Sequence, residues 1–220
     1  MFAGHLAVAI GAKSVAPKLP LSLLIGASFG IDILWPIFLL MGIETVAVDP
    51  GNTEFTSLDF LSYPWSHSLL MVLIWGTLSA LLAYRFGVSK KGAIVVGSVL
   101  TSHWLLDWIT HRADLPIWPG GFMTGAGLWN SILGTFLVEG SLLVIAVILF
   151  RRSFEIVGWQ GKLAFISLLT LVTVIWGSQP YSPPPPDAHA VALVGLTMLL
   201  LPIWGMWIER NTNVKPNHAA

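Results

Sequence analysis

Six apolar stretches of the chain are each close to the length that a helix needs to cross a membrane. They cover residues 19–43, 67–86, 92–111, 128–150, 162–178 and 190–208. A transmembrane helix needs about 20 apolar residues, because the hydrocarbon core is about 30 Å thick and a helix rises about 1.5 Å per residue. We therefore predict an all-α integral membrane protein with about six transmembrane helices.

The charge content argues against a soluble fold. Only 10% of the 220 residues are charged and 55% are hydrophobic, whereas soluble domains carry about 25% charged residues. The formal net charge is zero, so we expect no nucleic-acid partner and expect membrane lipid to surround the chain. The chain has no cysteine, so any metal must have nitrogen and oxygen ligands. No internal repeat is evident, and we expect one membrane-embedded domain over residues 1–220.

The positions of lysine and arginine predict how the chain is oriented. Ten of the eleven basic residues fall before the first span, between the second and third, between the fourth and fifth, or after the last; only Arg112 falls on the other side. Basic residues are retained on the cytoplasmic side. We therefore predict a multi-pass protein of the cell (inner or plasma) membrane with both termini cytoplasmic. Residues 1–12 contain no Lys or Arg, so we expect no cleaved signal peptide.

Three carboxylates lie within the predicted spans, at Asp32, Asp107 and Glu139. Each charged group in a bilayer costs about 2.5–3.5 kcal/mol on insertion scales. The sequence places no Lys or Arg at comparable depth, so these groups require protonation, a water-filled cavity or a bound cation. All three lie within about 16 Å of the predicted outer ends of their spans. A site shared between them would therefore open outward.

Histidines accompany these carboxylates. His103, Asp107 and His111 are spaced i, i+4 and i+8, which places them on one helix face. His67 begins the second predicted span at the outer boundary. His5 belongs to residues 1–12, which are too short to span at about 18 Å; we predict a half-helix that enters the membrane. The candidate metal ligands are thus His5, Asp32, His67, His103, Asp107, His111 and Glu139.

Structural roles remain open for several of these residues. His103 and Asp107 could form a polar bridge between helices. His111 could be an interfacial side chain bonded to water, and His67 could be a helix-terminal residue. Glu139 could be a protonated carboxyl bonded to a neighbouring helix.

Short sequence blocks resemble those of the bacterial membrane-bound metal-dependent hydrolases. The blocks are Gly4-His5, Asp32 with Pro36, Ser66-His67-Ser68, Ser102-His103 with Asp107, and Trp118-Pro119. They lie within roughly residues 1–140 and appear in the expected order. That family is similar in ligand order to zinc-dependent phospholipase C and to single-strand-specific zinc nucleases. The resemblance implies a divalent metal ion, most simply zinc, held by His5, Asp32, His67, His103, Asp107 and Glu139.

The chain departs from the family pattern at two places. Many members have two acidic residues and a histidine in the second block, where this chain has only Asp32. Many also have His-Arg-Gly before the third block, where this chain reads Ser62-Tyr63-Pro64-Trp65. Fewer metal ions, or a loss of hydrolysis, would follow from these replacements.

The expected function is hydrolysis of a lipid or lipid-linked phosphoester at the outer leaflet. Asp32 or Glu139 would act as general base. Two alternatives stay open: a small ion- or proton-coupled transporter, and a non-catalytic metal-binding membrane protein. A transporter needs access to both faces, whereas the polar groups in the spans favour one face. The sequence leaves the oligomeric state open.

Overall fold

The structure of the protein is a computed structural model that describes residues 1–216. The described chain is 68% helix. Numbered along the chain, the α-helices are α1 (Ala3–Val15), α2 (Leu21–Ser28), α3 (Gly30–Leu40), α4 (Pro64–His67), α5 (Leu69–Arg85), α6 (Lys90–Thr110), α7 (Ile132–Ser153), α8 (Gly158–Ser178), α9 (Ala188–Leu196) and α10 (Leu200–Glu209). The short strands are β1 (Thr45–Val48), β2 (Leu58–Ser62), β3 (Leu115–Pro116), β4 (Met123–Thr124), β5 (Phe154–Ile156) and β6 (Thr212–Val214), which pair in order as three two-stranded antiparallel sheets.

Four helical segments are long and apolar enough to cross a membrane. They are α6, α7, Gly158–Tyr181 and Ala188–Glu209. The pair α2 and α3 makes a fifth if it counts as one span. The all-helical, membrane-type architecture predicted from the sequence is therefore confirmed. The span predicted over residues 67–86 corresponds to α5, a shorter apolar helix of 17 residues, so the total of six spans stays a prediction.

The distribution of polar and apolar side chains is the reverse of that in a soluble protein. Large apolar residues lie on the surface of the bundle, with Leu133 69% and Val194 68% exposed. The interior instead encloses His103, Asp107 and Glu139, each at most 1% exposed. Soluble monomers rarely expose contiguous apolar surface of this kind. The surface of the bundle is therefore suited to lipid.

Helix α1 is a buried helix in the middle of the bundle. Its 13 residues give a length of about 20 Å, too short to cross a hydrocarbon core of about 30 Å. It packs along α7 and against α2 and α6, and buries Leu6, Ala9 and Ile10 completely or nearly so. The helix extends to Val15, three residues beyond the predicted half-helix. Its entry into the membrane stays a prediction.

A buried ion pair fixes one end of α1. Lys13 Nζ donates to Glu209 Oε1 at 2.6 Å and to the carbonyl oxygens of Leu19 at 2.6 Å and Pro17 at 3.0 Å. Glu209 Oε2 in turn accepts the N–H of Leu21 at 2.5 Å. These bonds join the end of α1, the start of α2 and the end of α10. The C-terminal ends of α1 and α10 therefore meet at one end of the bundle.

The predicted span 19–43 is two helices bent by 49° at Phe29. Bends in membrane helices occur where another group takes over the freed backbone positions. Here the carbonyl oxygen of Ser28 lies 3.1 Å from His103 Nδ1 and accepts its hydrogen bond. The bend therefore connects the first helix pair to α6 close to Asp32.

Hairpins cover the opposite end of the bundle. Strands β1 and β2 form an antiparallel hairpin within the predicted loop 44–66. Arg112, at the end of α6, pairs with Asp59 of this hairpin and donates from Nε to Asp114 Oδ2 at 3.1 Å. Glu54 Oε2 accepts the N–H of Ile132 at 3.2 Å and so caps the start of α7. The loop is thus folded and covers the helix ends.

The ion pair between Lys13 and Glu209 makes a testable contribution to stability. We expect Glu209→Ala to lower the free energy of unfolding by about 1–3 kcal/mol, because the buried Lys13 ammonium loses its only carboxylate partner among the described residues. The measurement is thermal unfolding of detergent-purified protein. Glu155→Ala, at an exposed position of β5, is the control and should leave the midpoint unchanged. Equal midpoints for both variants would show that the pair is not stabilising.

Candidate metal centre

Four helices bring five ionisable side chains together inside the bundle. His5 comes from α1, Asp32 from α3, His67 from the end of α4, and His103 with Asp107 from α6. All but Asp32 are at most 3% exposed. The chain turns sharply after His67, because Ser68 is extended and its side chain accepts the N–H of Met71 as the N-cap of α5. This sharp turn between α4 and α5 places the His67 ring at the cluster.

Four ligand-type atoms form a ring of neighbouring pairs. His103 Nε2 lies 3.0 Å from Asp107 Oδ2 and 3.5 Å from Asp32 Oδ1. His67 Nε2 lies 3.8 Å and 3.7 Å from the same two oxygens. Atoms that share a tetrahedral zinc ion, with bonds of about 2.0–2.1 Å, lie about 3.3 Å apart. The spacing around the ring is therefore close to that of a shared small cation.

His5 occupies the other side of the two carboxylates. His5 Nε2 lies 3.1 Å from Asp107 Oδ1 and 3.8 Å from Asp32 Oδ2. Its ring stacks on that of His103, with 3.8 Å between centroids. Two groups of three residues have ligand atoms mutually within 4.8 Å: His5, His103 and Asp107, and Asp32, His67 and His103. This His/Asp cluster could hold a metal ion.

The hydrogen bond to Ser28 determines which His103 nitrogen can bind a metal. A carbonyl oxygen only accepts, so His103 Nδ1 carries the proton that it shares with Ser28. The lone pair of a neutral His103 is then on Nε2, directed at two carboxylates. His103 Nε2 is buried and has no hydrogen-bond partner in the described part of the chain. A lone pair 3.0 Å from a carboxylate oxygen is unfavourable unless a proton or a metal cation lies between them.

Glu44 sets the tautomer of His67 through Ser66. Ser66 Oγ donates to Glu44 Oε2 at 2.6 Å and lies 2.7 Å from His67 Nδ1. The hydroxyl has one proton, so His67 Nδ1 must donate to Ser66 and the lone pair is on Nε2, toward the cluster. Glu44 also accepts the N–H groups of Trp65 and Ser66 at 2.8 Å. Carboxylates that orient metal-binding histidines in this way are common in metal sites.

The sequence did not single out Glu44. It lies in a predicted outer loop among other acidic residues, where a solvated side chain is the ordinary expectation. The structure buries it to 1% exposure. The only sequence signal was its position directly after an apolar span, 22 residues before Ser66, and such a separation predicts no contact.

One positive group lies beside the carboxylates that the sequence analysis left without a basic partner. The terminal amine of Met1 donates to Asp107 Oδ1 at 2.5 Å. One ammonium offsets only one of the carboxylates of Asp32, Asp107 and Glu139. The remaining negative charge and the unpartnered imidazole nitrogen both favour a further cation in the cluster.

Glu139 contacts the start of α1 rather than the ring of ligand atoms. Its Oε2 accepts the N–H of Gly4 at 3.1 Å, which satisfies one of the free N–H groups in the first turn of α1. Its Oε1 is buried and has no hydrogen-bond partner among the described residues. Glu139 therefore holds the helix that carries His5. It is not part of either group of ligand atoms.

His111 is the second predicted ligand that lies outside the cluster. Its Nδ1 lies 3.0 Å from Asp114 Oδ1 and 3.1 Å from the Tyr63 hydroxyl, and its ring packs on Trp129 with 4.4 Å between centroids. Burial raises the pKa of Tyr63 well above its usual value, with Asp114 as the next cause, so Tyr63 remains a hydrogen-bond donor. The structure places His111 in the covering layer of the site, one turn beyond Asp107.

Comparison with known protein families, with curated proteins and with solved structures gave no match. The chemistry of the site therefore rests on its own residues. Imidazole nitrogens and carboxylate oxygens suit zinc and other divalent transition-metal ions. The residues present fit such an ion, and they do not select one metal.

Removing two ligands should abolish metal binding at this site. We expect the double variant His103→Ala, Asp107→Ala to lose its bound metal, because both groups of ligand atoms contain one or both residues. The double variant His111→Ala, Asp114→Ala is the matched control, since it removes a His–Asp pair from the same end of α6. Metal content of detergent-purified protein is the measurement. Equal metal content in the two variants would exclude the proposed ligands.

Disrupting the Glu44–Ser66–His67 chain should weaken metal binding without removing a ligand. We expect Glu44→Gln and Ser66→Ala each to raise the metal dissociation constant about 10- to 100-fold, because the His67 ring loses its fixed tautomer. Competition with a chromogenic chelator measures this constant. Glu54→Gln, which changes an acid that caps α7 in the same loop, should leave it unchanged. An unchanged constant in both test variants would show that the chain does not position His67.

Proposed function

We propose that the protein is a membrane-bound metal-dependent hydrolase that acts on a lipid or lipid-linked phosphoester at the outer leaflet of the cell membrane. The observation that carries this proposal is the buried, unpartnered His103 Nε2 directed at Asp32 and Asp107. In this proposal α5 is the sixth span, the Lys13 end of α1 and the C-terminal end of α10 lie on the cytoplasmic side, and α1 extends from there into the membrane, with the Met1 amine at Asp107 and not in the cytoplasm as the sequence had suggested. Zinc is the proposed ion.

The arrangement of charges supports this orientation. Lys13 and Glu209 meet at one end of the bundle, and Lys215 Nζ donates to the carbonyl oxygen of Arg151 at 2.7 Å at the strand pair β5–β6. The other end has the hairpins and Arg112, whose charge is shared by Asp59 and Asp114. A basic end and a neutralised end are what the positive-inside rule requires.

The depth of the cluster suits the headgroup of a lipid in the outer leaflet. His103 is seven residues and Asp107 three residues from Thr110, the outer end of α6. At the helical rise these positions lie about 10 Å and 5 Å below that end. A phosphoester at the boundary of headgroup and hydrocarbon would be at this level. The resemblance to membrane-bound hydrolases is consistent with this substrate class.

Asp32 is the proposed general base. Its side chain is 19% exposed, whereas the other carboxylate of the ring, Asp107, is 2% exposed. His67, His103, Asp107 and Asp32 would hold a divalent ion, which would supply a Lewis acid beside a phosphoryl oxygen. Asp32 takes a proton from the attacking water as the water oxygen bonds to phosphorus. The phosphorus–oxygen bond to the leaving group then breaks, and Asp32 gives its proton to the leaving oxygen, so that an alcohol departs.

The face of α6 below the cluster favours hydrolysis over transport. Toward the cytoplasmic end this face continues with Leu100, Val96 and Ala93, all buried and apolar. An ion pathway would need polar groups along this route. The proposed site is therefore accessible from one side only.

Hydrolysis can be tested directly. We expect the purified protein to cleave one or more members of a panel of lipid phosphomonoesters and phosphodiesters, with turnover lost on chelation and restored by zinc. Asp32→Asn should lower turnover about 10²–10⁴-fold, because the general base is removed. Asp49→Asn, an exposed loop acid, is the control.

The same assay separates the alternatives. Absence of chelator-sensitive turnover across the panel would contradict the hydrolase proposal. Metal uptake into proteoliposomes under those conditions would indicate transport, and bound metal without either activity would indicate a structural metal site.

A further inference from the structure

An apolar groove lies between the first bent helix pair and α5. Its volume is about 490 Å³. Both α2 and α5 pack on α6, so α6 forms the floor between them. The wall on α5 includes Trp75, Ser79 and Ala83, which are spaced four residues apart and share one helix face. Ser79 carries the only hydroxyl group among the lining residues, and none of them is charged. The groove is therefore suited to hydrocarbon.

The floor of the groove continues into the metal cluster. Val96 and Leu100 line the groove, and His103 and Asp107 follow on α6. Their spacing of four, three and four residues places all of them on one helix face. The groove is therefore the inner, apolar continuation of the same stripe of α6 that carries two proposed ligands. On the opposite wall, Gly30 and Ile31 directly precede Asp32.

The length of the groove matches one leaflet of a bilayer. Along α5 the lining residues run from Trp75 to Phe86. Eleven residues of helix rise about 16 Å, which is close to half of a hydrocarbon core of about 30 Å. A chain that begins at the cluster, about 5–10 Å below the outer end, and follows the groove would extend about 16 Å further, to the inner end of α5. One hydrocarbon chain of a lipid whose headgroup lies at the cluster is therefore the occupant that fits in length and polarity.

We propose that this groove binds one hydrocarbon chain of the substrate lipid and thereby places its phosphoester at Asp32 and the metal cluster. The proposal rests on the proposed hydrolase function and adds the substrate class. The substrate is a lipid whose phosphoester headgroup is joined closely to a long hydrocarbon chain. The groove binds the apolar chain, and the cluster contacts the headgroup. Water-soluble phosphoesters lack the chain and would be poor substrates.

The test uses a phosphatidic acid that carries a diazirine midway along one acyl chain. The purified full-length protein is placed in phosphatidylcholine nanodiscs containing this probe, irradiated, and digested. We expect labelled peptides from the groove faces of α5 and α6. Mapping on the unaltered protein does not depend on whether any variant folds.

Two variants then test the site. Ser79→Trp fills the groove, and we expect its groove labelling to fall about tenfold, as expected if roughly two methylene groups lose their burial. Thr77→Trp introduces the same ring two residues away, at an exposed position of α5, and should label like the unaltered protein. Metal content and thermal midpoint should be the same in all three proteins. Turnover of long-chain phosphatidic acid should fall with the labelling, while turnover of a dibutyryl analogue should not.

The outcomes of labelling and turnover are independent. Equal groove labelling in both tryptophan variants, or labelling of the unaltered protein only on its outer surface, would overturn the groove proposal even if hydrolysis is found. Groove labelling that is lost only in Ser79→Trp, without any chelator-sensitive turnover, would support the groove as a lipid-chain site and remove the hydrolase proposal.

Discussion

The buried cluster of carboxylates and imidazoles is the interaction on which the rest of this structure depends. Asp32 and Asp107 lie inside a bundle whose outer surface is apolar, and a charge in such a place must be compensated. The carboxylates and the imidazoles together come from four different helices. The helix bend at Phe29, the buried helix α1 and the short helix before His67 can all be understood as means of bringing these groups to one point.

The groups around the cluster direct its lone pairs inward. Ser28 fixes His103, and Glu44 through Ser66 fixes His67. Both imidazoles then present Nε2 to the same pair of carboxylates. A simple salt-bridge network would place a proton on each of these nitrogens, whereas a metal site requires the lone pair. The hydrogen bonds around the cluster leave Nε2 of each neutral imidazole facing the carboxylates, which is the nitrogen that a metal ion could bind.

Much of the site was visible in the sequence because insertion into lipid penalises every polar residue. Asp32, His67, His103 and Asp107 stand out among apolar neighbours, and the spacing of His103 and Asp107 needs only helical geometry. The membrane class of the fold follows from the same apolar stretches. The number of spans does not follow from the sequence, because α5 is at the lower limit of length and the predicted first span is bent.

The sequence by itself determined that the chain is a helical membrane protein and which residues are too polar for lipid. Only the tertiary structure decided which of them meet. It placed His111 with Tyr63 and Asp114 instead of the cluster, and it gave Glu139 to the start of α1. It also placed Glu44 in contact with Ser66, beside His67. Helix periodicity fixes which residues are neighbours within one helix. Contacts between distant segments depend instead on how the helices and loops pack together.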